Sequence, residues 1–112
     1  MREGCHILEL ANSVDDPAVS IARARVAPGA TTRWHRLHGI AERYVILGGR
    51  GRVEVGDLPP ADVTVGDVVH IPSLCRQRIT NVGRDELVFL AICSPRFEDS
   101  AYEDIEPAAP RS

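Results

Sequence analysis

Turn-forming residues interrupt this chain so often that no long helix fits between them. Pro28-Gly29, Gly48-Gly49, Pro59-Pro60, Gly66-Asp67 and Gly83 each break the chain. Between these breaks the apolar residues alternate instead of recurring at helical spacing. Arg52-Val53-Glu54-Val55 puts Val53 and Val55 on one face. Short strands are expected over residues 6–10, 19–26, 31–37, 42–47, 52–56, 61–65, 68–72, 75–81 and 87–93. Many short strands at intervals of about 8–12 residues define an all-β sandwich or barrel.

The expected strand Leu87-Val88-Phe89-Leu90-Ala91-Ile92-Cys93 is apolar on both faces. Such a strand must be covered on both sides. A single small barrel covers one side, so a homodimer is expected, with the outward Trp34 near its contact. At 112 residues the natural reading is one domain, residues 1–112. Its core spans about residues 18–97. An acidic, Pro-containing tail at 98–112 is anchored by Phe97, Tyr102 and Ile105 and mobile from Pro107 onward.

A net charge of −3 gives no basic surface for nucleic acid or an anionic membrane. No apolar run has transmembrane length, and the N-terminus has no signal-peptide core. Cys5, Cys75 and Cys93 are widely spaced and form no CxxC pair. Reduced thiols in a cytoplasm fit that set. The chain has no lysine, which removes Schiff-base chemistry by a lysine amine. An Arg- and Ala-rich chain of this kind also suggests a GC-rich bacterial genome.

Chemistry concentrates between Gly29 and Gly49, where His35, His38 and Glu42 precede the run Tyr44-Val45-Ile46-Leu47. Imidazole and carboxylate are ligands for Zn, Fe, Mn or Ni. His35 and His38 are three apart, whereas side chains alternate faces with a period of two. His38 reaches the same pocket as His35 if the strand ends or bulges there, which Gly39 permits. Otherwise His38 lies at the mouth. Tyr44 shares parity with Glu42 and is either core filler or a group that faces substrate. His70, with apolar neighbours, reads as a core residue. Arg23 and Arg25 share one face, either solvated or clamping a carboxylate.

The spacing Gly29, five residues, His35, then His38, three residues, Glu42, six residues, Gly49 resembles the first motif of the cupin superfamily. Gly66, five residues, Pro72, then Gln77 and Asn81 resembles the second, with Gln77 where that family usually has histidine. The resemblance implies a double-stranded β-helix, the cupin jelly-roll barrel. It implies a divalent metal (Mn, Fe, Zn or Ni) held by His35, His38, Glu42 and Gln77, and Tyr44 as a proton donor. It further implies a small-molecule ligand or substrate. Dioxygenase, decarboxylase, isomerase or lyase chemistry would follow. Two alternatives are a non-catalytic binding protein and a metal-free isomerase or epimerase that uses His35 and Tyr44.

Overall fold

The computed structural model describes residues 4–107. The expected all-β architecture is found: ten strands form two five-stranded antiparallel sheets, with one short 3-10 turn. The strands are β1 (Cys5–Ser13), β2 (Asp16–Val26), β3 (His35–Leu37), β4 (Ala41–Gly48) and β5 (Arg50–Val55). The chain continues through β6 (Ala61–Thr64), β7 (Val68–Ile71), β8 (Gln77–Asn81), β9 (Leu87–Ser94) and β10 (Tyr102–Asp104). The 3-10 turn is Asp99–Ala101. One sheet runs β1-β2-β9-β4-β7 and the other β10-β3-β8-β5-β6. After β2 the chain passes from one sheet to the other at each strand, except at the β5–β6 hairpin, which stays in the second sheet. No described helix is long and apolar enough to cross a membrane.

Alternation decides what is buried. Glu42, Tyr44 and Ile46 on β4 face inward, as do Gln77, Ile79 and Asn81 on β8. Ile46, Ile71, Ile79, Leu87 and Val26 are almost fully enclosed. Each such side chain contributes about 1.5–3 kcal/mol relative to an exposed one. Asn81 is buried but satisfied. Its amide donates to the carbonyls of Val26 and Asp85 at 2.8 Å each, and its Oδ1 accepts from the Gly83 N–H at 2.9 Å. One side chain thus ties β8 to the end of β2 and to the turn before β9.

The inner face of the first sheet is unevenly filled. Cross-strand rows bring Ala22 beside Ala91 and Ala91 beside Tyr44, and Ala24 beside Phe89. Small side chains at Ala22, Ala24 and Ala91 leave space where larger ones would close it. That space is the cavity described below.

Three expectations change. Residues 31–34 are not a strand: Thr31 makes an isolated bridge to Thr80, and Thr32 Oγ1 accepts from the Ile79 N–H at 3.0 Å. The Thr32 N–H still donates to the Ile79 carbonyl at 3.0 Å, but the return bond goes to a side chain instead of a carbonyl, and β3 keeps three residues. His70 is exposed on the edge strand β7, not in the core. The tail, expected to be anchored by Phe97, Tyr102 and Ile105 without a strand of its own, forms β10, which pairs antiparallel with β3 through Tyr102–Leu37, Glu103–Arg36 and Asp104–His35. The last part of the expected mobile tail, 108–112, lies outside the described residues.

Candidate functional site

A cavity of about 390 Å³ opens between the sheets. Its floor is apolar: Cys5, Ala22, Ala24, Phe89 and Ala91 line it. Four of its polar groups come together: Glu42 and Tyr44 from β4, His35 from β3 and Cys93 from β9.

Register explains the gathering. His35 pairs directly with Gln77 across β3 and β8, and Glu42 pairs with Cys93 across β4 and β9. Gln77 is buried between the two sheets. The Tyr44 hydroxyl donates to Gln77 Oε1. The Cys93 thiol donates to Glu42 Oε2 at 3.7 Å. Glu42 Oε1 is buried without a hydrogen-bond partner; among the described residues only Arg23 Nε shares that condition.

Burial governs the protonation states. Desolvation raises the Glu42 carboxyl to about 7, although hydrogen bonds from Gln77 and Cys93 favour its charged form. The Cys93 thiol is pushed up to about 12, by burial first and by the adjacent Glu42 charge second. Burial holds Tyr44 well above the ordinary phenol range. Burial also lowers His35, against a hydrogen bond from its Nδ1 to the Arg33 carbonyl at 2.7 Å. A carbonyl only accepts, so that bond keeps a proton on Nδ1. Neutral His35 therefore carries its lone pair on Nε2.

His38 takes the other of its two sequence-level options. β3 ends at Leu37, and Gly39 follows with a φ of 73°. The chain turns there, but it carries His38 outward. His38 Nε2 donates to Glu103 Oε1 at 2.7 Å, and the ring is half-exposed. His38 does not line the main cavity.

Of the four residues expected around a metal, His35, Glu42 and Gln77 lie together and His38 does not join them. His38 faces the tail, and one lone pair of the Gln77 oxygen accepts the Tyr44 proton. His35 and Glu42 remain, with Cys93 protonated beside Glu42. Among the described residues no three His, Cys, Asp or Glu side chains form a group that could hold a metal ion. Without His38 the arrangement offers one imidazole and one carboxylate, fewer strong donors than a divalent cation ordinarily takes from protein.

Tyr102 and Asp104 also line the cavity, from β10. Motif spacing gave no signal for them, since a three-residue strand is too short to show a period. Tyr102 stood out only as an aromatic in a polar tail.

The two sheets and their cavity define a cupin, and comparison of the sequence agrees. The cupin-domain family matches residues 22–93, so the chain belongs to that family. An uncharacterized protein of Methanocaldococcus jannaschii is 33% identical over 87 residues, which cover 78% of this chain and 66% of that protein. The crystal structure of an uncharacterized conserved protein with a double-stranded β-helix domain from Klebsiella pneumoniae superposes with a TM-score of 0.81. It is 11% identical, over 96% of this chain and 89% of that one. The oxalate decarboxylase of Lactobacillus farciminis, solved as a formate complex, gives a TM-score of 0.82 at 20% identity. That match covers 94% of this chain and 32% of the decarboxylase. At such identities the likeness carries the fold alone.

Proposed function

We propose that the cavity binds a small molecule with a largely apolar body and one polar head, and that Glu42 and His35 exchange protons with that head. The observation that carries this reading is the buried, unpartnered Oε1 of Glu42, a residue that lines the cavity beside its apolar floor. A buried acceptor or donor without a partner is costly, and a ligand head that bonds it recovers that cost.

The two groups suit opposite roles. A carboxyl that titrates near 7 is protonated often enough to act as an acid at neutral pH. Neutral His35 offers Nε2 as the base. Tyr44, the proton donor expected from the sequence, spends its proton on Gln77, so its part is to hold Gln77 and through it Glu42. In an isomerisation, His35 Nε2 takes a proton from carbon next to a carbonyl, and Glu42 gives its proton to the carbonyl oxygen. The enol returns to product by reversing those transfers at the other atom. This is the metal-free isomerase class of the sequence-level alternatives, and the resident groups supply every proton.

Phenylpyruvate keto–enol conversion, followed by ultraviolet absorbance, tests the reading. The expected result is an acceleration that both Glu42→Gln and His35→Ala reduce by about a hundredfold or more. The pH profile should rise as His35 loses its proton and fall as Glu42 does, near pH 7. Saturable binding without acceleration would assign the cavity to ligand binding alone.

A further inference from the structure

The family match ends at residue 93, yet the cavity is also lined by Phe97, Asp99, Tyr102 and Asp104. These residues belong to a segment that folds back over the barrel. Phe97 packs with Leu37, Ile40 and Cys93, and its N–H donates to Ser20 Oγ at 2.8 Å. The His38 N–H donates to the Ala101 carbonyl at 2.9 Å, and the Ile105 N–H donates to the Trp34 carbonyl at 3.0 Å. The segment is thus bonded to the second sheet on both sides of Tyr102.

Side chains hold it as well. Asp104 pairs with Arg33, and Glu103 accepts from both Arg36 and His38 at 2.7 Å. The result is that Tyr102 stacks on His35, with ring centroids 5.2 Å apart and an interplanar angle of 22°. Tyr102 remains 42% exposed although it lines the cavity. An aromatic ring with one face on a candidate base and a free edge at the mouth limits what can approach that base.

We propose that this C-terminal segment is the specificity wall of the cavity, and that Tyr102 is a ligand-contacting residue that sets the width of the molecule admitted to His35 and Glu42. The mouth, bordered by a phenol face and an imidazole, suits a single planar ring bearing a carboxylate or carbonyl head and excludes a fused double ring. The inference rests on the cavity being the ligand site.

Calorimetric binding of benzoate and 1-naphthoate to the full chain, Tyr102→Phe and Tyr102→Ala tests it. The wild type should prefer benzoate by about tenfold or more, the scale at which pocket shape discriminates. Tyr102→Phe keeps the ring and should keep the preference. Tyr102→Ala should lose it by gaining 1-naphthoate, and the His35 ring proton resonances should move as the stacked ring is removed. An unchanged preference in Tyr102→Ala, with benzoate binding still weakened by Glu42→Leu, overturns the role of Tyr102 and leaves the cavity site standing. Binding that ignores Glu42→Leu, or no binding of either acid, overturns the cavity site and the wall with it.

Discussion

Glu42 and Cys93 face each other across neighbouring strands, and the thiol donates to the carboxylate at 3.7 Å. A thiol is a weak donor, so it compensates little of the cost of burying a charge there. Burial therefore dominates, and the carboxyl titrates near 7. The folded value lies above the ordinary carboxylate value, so the folded state holds a proton that the unfolded state releases. Stability should fall as pH rises from about 4.5 to 7 and then level off. Glu42→Gln removes that penalty. It should be more stable than wild type at pH 8, by on the order of 1–3 kcal/mol, with the difference shrinking toward pH 5. Urea denaturation at the two pH values measures it; an equal difference at both would contradict it.

Two glycines separate backbone strain from crowding. Gly29 and Gly49 both have positive φ, 79° and 81°. A Cβ at Gly29 meets nothing within 4 Å, whereas one at Gly49 lies 2.6 Å from the Glu86 carbonyl oxygen. Gly29→Ala should cost about 1–2 kcal/mol, the price of a left-handed residue. Gly49→Ala should cost about 1–3 kcal/mol more, because backbone must move. Thermal unfolding of both variants checks the ranking.

The expected homodimer has a definite surface to use. Leu8, Arg23, Leu90, Val45 and Val68 form one row across the outer face of the first sheet. Leu8 and Val68 are more than half exposed, and Arg23 Nε is enclosed without a partner. The second sheet's outer side instead carries the pairs Arg36–Glu103, Arg52–Asp62 and Arg78–Glu54, and Arg76 and Arg78 lie over Trp34. We therefore keep the proposed contact on the Leu90 face of the apolar strand and leave Trp34 out of it. Light scattering should give a dimer mass for wild type and a monomer mass for Leu90→Asp; a monomeric wild type would contradict it.

The barrel was legible in the sequence because alternation and turn residues are local signals. The frame Gly66, Pro72, Gln77, Asn81 also placed Gln77 correctly opposite His35. What escaped was set by distant partners. Whether the turn at Gly39 sent His38 in or out depended on Glu103, far along the chain. Before β3, the Thr32 hydroxyl takes the Ile79 N–H that a strand carbonyl would otherwise accept. The cavity itself was implicit in Ala22, Ala24 and Ala91, but only the strand register showed them adjacent.

The tail contacts predict a local effect. Glu103 is held near 2, mainly by its hydrogen bonds from Arg36 and His38. Glu103→Gln weakens both, so amide exchange at residues 102–104 should quicken while the buried strand β8 stays protected. Uniform change across the chain would mean that the segment is not a separate unit.

The most direct test of the account is a carbon-13 NMR titration of the Glu42 side-chain carboxyl, in chelator-treated protein and again with added Mn or Zn. The account predicts a midpoint near 7 that metal leaves in place, because among the described residues no three His, Cys, Asp or Glu side chains gather around Glu42. A midpoint near the ordinary carboxylate value, or one that metal pulls down by a unit or more, would contradict it and restore the metal-binding reading.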